Sequence, residues 1–368
     1  MSRQHATPTK STPSKGGSGG AGKAPTSART STAAQAPLEQ DPAFSNSFMA
    51  QTLLTSAIEQ EGAEPGQVDL FGAAMGGKED PDKYWFAEDG DEIAPKTGGR
   101  AQQKDALPAL RQKHEGSQVE DFTKGKPFVK GEGDQHAVDP HDVKQGALGD
   151  CYLIAGMAAV ARADPKAIQK LIKDNGDGTF DVTLHIRKSP YSRPTPVTKT
   201  VDARLAVKGA GRPLYAGLGD VTAEEQELWT ALIEKTVAQH KNSYDLISGG
   251  NINGHGFNFA GATELLTGRT EGYFRTDGMD ADTALLTIQI ALDEGKPVTV
   301  DSRNLESDAE LTREANGRNV YWNHAYAPEE VDLNGGKLDL QNPWGSDHVN
   351  DLPVDLFLKY YRSIRVGA

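Results

Sequence analysis

Cysteine is almost missing from this chain: Cys151 is the one thiol in 368 residues. A disulfide framework needs at least two, and a multi-cysteine zinc site needs more, so neither is available. Long apolar runs are missing as well. No stretch of eighteen apolar residues exists, which argues against a membrane-spanning helix. The first thirty residues lack the apolar segment of a Sec-type signal peptide, so none is expected. Positive charge is short: 39 Lys and Arg face 52 Asp and Glu, a net −13. That balance argues against non-specific nucleic-acid binding. Hydrophobic residues make up only 36% of the chain, with 40 glycines and 20 prolines. The composition fits a globular body with a polar appendage.

The appendage is N-terminal. Residues 1–40 hold Met1 and Leu38 as their only large apolar side chains. Such a segment cannot bury enough surface to offset its conformational entropy, so a disordered arm is expected. Arg3, Lys10, Lys15, Lys23 and Arg29 outweigh Glu39, giving the arm +4 and leaving −17 elsewhere. A basic arm without a signal sequence suits a cytoplasmic protein or one exported by a non-Sec route, and composition alone carries no address. Residues 41–135 read as a loose connector with one amphipathic helix, marked by Phe44, Phe48, Met49, Leu53, Leu54 and Ile58 at helical spacing, and a short ordered piece at Tyr84-Trp85-Phe86. Residues before about 131 are therefore expected to be dispensable for the chemistry.

From about residue 136 the pattern becomes that of a packed domain. Small apolar residues from Leu153 to Val160 predict a buried helix beginning near Cys151. Asn175-Gly176-Asp177-Gly178 reads as a turn feeding a strand over 179–186, with a second strand over 197–205. Gly176 and Gly178 stand where a calcium loop would need side-chain ligands, so that reading is poor. Thr222 and Glu225 have the spacing of a capping box before the helical stripe Leu228, Trp229, Leu232, Ile233, Thr236 and Val237. A further helix spans 281–294, and strands are expected from 297, over 320–325, over 337–340 and over 362–366. Helices first and strands later predict an α+β fold in two lobes, 136–270 helical and 271–368 β-rich.

Cys151 is the chemical centre of the sequence. On its own a lone cysteine reads as a small buried hydrophobe. Here it follows a glycine-punctuated turn, Gln145-Gly146-Ala147-Leu148-Gly149-Asp150, and opens an apolar helix. Backbone N–H groups at that end favour thiolate and can offer the Cys151 N–H to an oxyanion. Gln145 could supply a second donor. A thiol nucleophile needs a base, and the base needs a partner that fixes its tautomer. Asn323-His324-Ala325-Tyr326 and Gln341-Asn342-Pro343-Trp344-Gly345 downstream could provide both. The glycine stretch 249–256 lacks the Gly-Lys-Ser/Thr of a phosphate loop and reads as a loop near the cleft.

QGALGDCYL, NHAYAPEEV and LQNPWG resemble the three active-site blocks of the calpain family of papain-like cysteine proteases. ELWTALIEK at 227–235, Ser243-Tyr244, Gly249-Gly250, VDARL at 201–205 and DLFLKYY at 355–361 are similar too, so the likeness covers roughly 139–368. The resemblance implies a two-lobed protease core with Cys151 as nucleophile, His324 as general base and acid, Asn342 as its orienter and Gln145 as oxyanion donor. It also implies that Gly149 lines the substrate cleft and that Trp344 shields the His–Asn pair. Asp142 and Glu227 resemble ligands of the family's first-lobe calcium site. With Ala137 in place of a glycine there, and a short connection from Ser346 to Pro353 in place of the second site's acidic loops, no cofactor is expected to be required, and calcium to bind weakly at most. Tyr152 replaces the usual tryptophan, and no EF-hand or C2-like domain is expected after the core. The implied activity is an endopeptidase working through a thioester. Deamidation or transamidation on the same triad, or a toxin effector acting in a target cell, are the alternatives. Protein substrates are the expected partners, with an inhibitor or immunity protein as a further kind, and neither nucleic acid nor a membrane span.

Overall fold

The computed structural model describes residues 107–122, 124–187, 192–209, 211–222, 224–248 and 261–368. The basic arm, the helix expected over 44–58, the aromatic triplet at 84–86 and the glycine stretch 249–256 lie outside the described residues.

The first lobe begins with short strands β1 (Gln118–Asp121) and β2 (Gly125–Lys126), then the helices α1 (Cys151–Ala163) and α2 (Pro165–Leu171). The sequence of α1 alternates small and large apolar residues, and Leu153, Ile154, Met157 and Val160 are fully buried. Each such side chain contributes about 1.5–3 kcal/mol of burial. Asp164 ends α1 and caps α2, accepting the Lys166 and Ala167 N–H groups at 3.1 and 3.2 Å. Strands β3 (Ile172–Asp174), β4 (Thr179–Ile186) and β5 (Thr195–Asp202) form one antiparallel sheet, with the expected glycine turn between β3 and β4. Strand β6 (Arg204–Gly209) pairs with β1 on one side and β7 (Arg212–Pro213) on the other, while β8 (Gln226–Glu227) pairs with β2. Helices α3 (Trp229–His240) and α4 (Ala262–Thr267) complete the lobe. A Cβ on Gly156 would lie 2.4 Å from the Ala262 side chain, so this glycine lets α4 press against α1.

The second lobe is a six-stranded antiparallel sheet. It contains β9 (Glu271–Arg275), β10 (Val298–Ser302), β11 (Ala325–Asp332), β12 (Lys337–Gln341), β13 (Val349–Pro353) and β14 (Tyr361–Gly367), in the order β13-β12-β11-β10-β14-β9. Helices α5 (Ala281–Asp293), α6 (Ala309–Asn316) and α7 (Val354–Tyr360) accompany it. Each lobe has its own apolar core. Where α1 lies on β10 and β11, Cys151, Ala155 and Ala325 form a small third cluster.

The α+β expectation stands, but the simple order of helices then strands does not, because the first lobe carries three small sheets of its own. That lobe also starts earlier than residue 136. β1 is zipped to β6, and Phe122 and Val129 are 3% and 4% exposed. The strand expected over 197–205 is two strands that turn at Ala203, where Asp202 accepts the Arg204 N–H at 3.1 Å. Thr222 and Glu225 close a turn of their own, 2.9 Å from Glu225 N to Thr222 Oγ1, and α3 begins only at Trp229. Residues 320–324 are a turn with Asn323 at φ 48, and the strand begins at Ala325. The connection 346–353 supplies β13 rather than a plain link.

Candidate active site

The loop before Cys151 is braced from three directions. Gln145 N–H donates to Pro343 O at 2.8 Å, Ala147 N–H to Leu214 O at 2.8 Å, and Gly149 N–H to Ser248 Oγ at 3.2 Å. Gly146 has to be glycine: a Cβ there would meet Tyr215 O at 1.9 Å. This bracing delivers Cys151 as the first residue of α1, 8% exposed, with Ala155 and Ala325 packed on it. The Ala325 and Tyr152 N–H groups act on its sulfur. The helix-start donors anticipated in the sequence are therefore present, yet they do not make the thiol acidic. Burial dominates and pushes it up to about 12.

His324 is the residue just before Ala325, so the turn that leads into the sulfur-touching strand carries the imidazole. It is 7% exposed, and its Nε2 lies 2.9 Å from Asn342 Oδ1. The Asn342 amide is fixed by its other contacts. Oδ1 also accepts the Trp344 N–H at 3.1 Å, and Nδ2 donates to Asp347 O at 3.3 Å. Oδ1 thus faces His324, so Nε2 carries the proton and Nδ1 is left as the basic nitrogen. Burial lowers the imidazole to about 4, with the Asn342 bond opposing that shift. Burial therefore works against the charged form of both groups.

Trp344 lies over His324, ring centroids 4.7 Å apart and tilted 44°, while remaining 38% exposed itself. It covers one face of the ring from the solvent side. Tyr326 meets His324 edge-on at 4.9 Å, and its hydroxyl accepts the Tyr321 N–H and donates to Asn319 O. Ser302, at the end of β10, holds the histidine backbone. Its Oγ accepts the His324 N–H at 2.9 Å and donates to Tyr321 O at 2.6 Å. His348 Nδ1 accepts the Asn342 N–H at 3.1 Å. Sequence reasoning missed Ser302, Tyr326 and His348, because each acts through backbone contacts that only the sheet register creates.

Gln145 reaches the site less directly. Its Nε2 donates to Leu148 O at 2.7 Å and lies 3.4 Å from Asp150 Oδ1, while Oε1 is buried without a partner. The lobes are tied together close by. Gln341 donates to Pro140 O at 2.6 Å, Arg162 pairs with Gln341 and Glu329, and His141 meets Glu329 at 3.2 Å.

Asp142 and Glu227 are both buried, but they do not sit as a vacant ligand pair. Glu227 accepts the Val129 and Asp220 N–H groups, and Asp142 accepts Trp229 Nε1–H at 3.1 Å and the Asp139 N–H at 2.7 Å. Burial raises Glu227 to about 9 and Asp142 to about 6. The Asp142 and Glu227 carboxyls also meet each other, and among the described residues Asp134, Asp142 and Asp220 converge, one oxygen of each lying within 4.8 Å of the others. Calcium takes six to eight oxygens. Asp142 and Glu227 already accept backbone and indole N–H groups, so any part they took in meeting that demand would compete with those bonds.

The calpain family cysteine protease description matches residues 119–351. That span takes in the Cys151, His324 and Asn342 segments, the first lobe from Val119 and the second lobe as far as β13. The chain belongs to the calpain family of cysteine proteases. Chicken (Gallus gallus) calpain-2 catalytic subunit is 31% identical over 217 residues, covering 55% of this chain and 28% of that protein. Mouse (Mus musculus) calpain-8 is 28% identical over 213 residues, with the same coverage. Calpain-B of Drosophila melanogaster is 28% identical over 219 residues, covering 56% of this chain and 22% of its own length. This calpain-family chain thus spans about a quarter of the length of the curated relatives it matches.

Proposed function

We propose that the protein is a cysteine endopeptidase that hydrolyses peptide bonds of protein substrates through Cys151, His324 and Asn342. The observation that carries this reading is the buried His324–Asn342 pair, which leaves Nδ1 basic one residue before the strand that packs against Cys151. In the first half-reaction the Cys151 proton passes to His324 Nδ1 as Sγ attacks the peptide carbonyl carbon. The carbonyl oxygen becomes an oxyanion facing the Cys151 N–H and the Gln145 amide. The 3.4 Å contact from Gln145 to Asp150 is long enough to be exchanged for that oxyanion. The imidazolium then protonates the leaving nitrogen, the C–N bond breaks, and an acyl thioester remains on Cys151. Water gives a proton to His324 and attacks the thioester, and sulfur leaves with the acid product released. Asn342 keeps the imidazole in one tautomer throughout, and Trp344 limits water at the pair.

The test compares wild type with Cys151→Ala on a mixed protein substrate, with mass analysis of the products. The expected result is cut chains from wild type and none from the variant. Intact chains with converted side-chain amides would assign deamidation or transamidation instead, and hydrolysis surviving in Cys151→Ala would refute the reading.

A further inference from the structure

Directly before the nucleophile lies a second buried acid–base unit that the reaction as described does not use. Asp150 occupies the N-cap position of α1, where an aspartate ordinarily accepts a helix N–H, yet its side chain makes no such bond. It turns inward, wholly buried, to face Glu234 of α3, which is 2% exposed. The Ala216 N–H donates to both Glu234 oxygens, at 3.1 and 3.0 Å. Gln145 Nε2 lies 3.4 Å from Asp150 Oδ1, and Asp150 Oδ2 has no donor. The remaining titratable groups acting on this pocket are the hydroxyls of Tyr152, Tyr215 and Tyr244 and the Cys151 thiol. Lys235, next to Glu234 in the chain, is turned to Asp202 at 2.6 Å.

Two ionised carboxylates in contact, out of water and without a cation, repel each other and lose their solvation. A single proton between them removes one charge and supplies the donor that Asp150 Oδ2 lacks. We propose that Asp150 and Glu234 share one buried proton and together serve as positioning residues for the Gln145 amide. The inference rests on Gln145 acting as the oxyanion donor proposed above. The shared proton makes Asp150 a weak acceptor, so the amide is aimed by the pair yet free to transfer to the oxyanion. Loss of the proton to solvent would leave two charges beside the developing oxyanion and a tighter grip on Nε2. Burial raises both acids, Asp150 to about 7 and Glu234 well above its ordinary range, so this loss falls on the alkaline side.

The test uses the full chain as wild type, Glu234→Gln and Glu234→Ala. Gln keeps a donor toward Asp150 at every pH and mimics the protonated acid. The infrared difference between wild type and Glu234→Gln near neutrality should contain a protonated-carboxyl C=O band assignable to this pair. Glu227, also raised by burial, cancels in that difference. Wild-type kcat should fall at least about tenfold toward alkaline pH with KM unchanged. His324, neutral above about 4, adds no such limb. The limb should disappear in Glu234→Gln, while Glu234→Ala should lower kcat at neutral pH. Should Glu234→Gln fail to fold, Asp150→Asn serves in its place: it removes the sharing partner and should shift the frequency of the band, and a band unchanged in Asp150→Asn would likewise overturn the proposal. An absent band, or an alkaline limb identical in wild type and Glu234→Gln, would overturn the proposal. The infrared reading needs no substrate, so it separates failure of the shared proton from failure of the protease assignment.

Discussion

Replacing Asn342 by alanine should separate stability from catalysis at this site. The side chain is fully buried and makes three polar contacts: to His324 Nε2 at 2.9 Å, Trp344 N at 3.1 Å and Asp347 O at 3.3 Å. Asn342→Ala leaves two buried donors without an acceptor, at about 1–3 kcal/mol each. A stability loss of about 2–6 kcal/mol follows. Catalysis should suffer less, because the imidazole remains and only the bias toward one tautomer and orientation is lost. That loss corresponds to roughly 1–3 kcal/mol, a fall in kcat/KM of about 5–150-fold. His324→Ala should show the opposite balance. It removes the proton-transfer group, for a loss of about 10²–10⁴ in rate, yet Asn342 Oδ1 keeps the Trp344 N–H, so stability falls less. Denaturant unfolding and steady-state kinetics on both variants decide the matter. The same ranking of the two variants in both assays would refute the assigned roles.

The histidine also sets a pH dependence. Its folded pKa, near 4, lies below the ordinary 6.5. The unfolded chain therefore takes up a proton first, and stability should fall as pH drops from about 6.5 and level off below about 4. The full effect is roughly 3 kcal/mol, read as a melting-temperature difference between wild type and His324→Gln that narrows with acid; a constant difference would contradict the burial argument. Removing residues up to 106 should leave the core folded, whereas a start at Gly131 deletes β1 and the buried Phe122 and Val129. Those two side chains alone amount to about 3–6 kcal/mol, so an equally stable Gly131 truncation would show that this edge is not structural. Activity in excess EGTA should match activity in millimolar calcium, since Asp142 and Glu227 are already held by protein donors; a large, saturable activation would reverse that reading.

The family was largely legible in the sequence and the architecture less so. Cys151, His324 and Asn342 stand in short blocks whose neighbours are dictated locally: a glycine that admits Tyr215 O, an apolar helix, a strand ending in Asn-Pro-Trp-Gly. Helices α1, α3 and α5 showed through their apolar stripes. Strands β9 and β13 did not, because their burial is partial and their pairing is with segments far along the chain. Ser302 carried no local signal, since its value lies in facing His324 across a sheet register. The burial that opposes the anticipated thiolate is a tertiary effect: β11 packs over the start of α1 and desolvates the sulfur.

The most direct measurement is acid quenching of wild type during turnover of a defined protein substrate, followed by peptide mapping of the enzyme. The predicted result is an acyl fragment on the Cys151 peptide, equal in mass to the N-terminal part of the cut substrate and lost on brief treatment with hydroxylamine. Cleavage of the substrate with no acyl adduct on Cys151 under conditions that accumulate the intermediate, or an adduct on another residue, would contradict a thioester formed at Cys151.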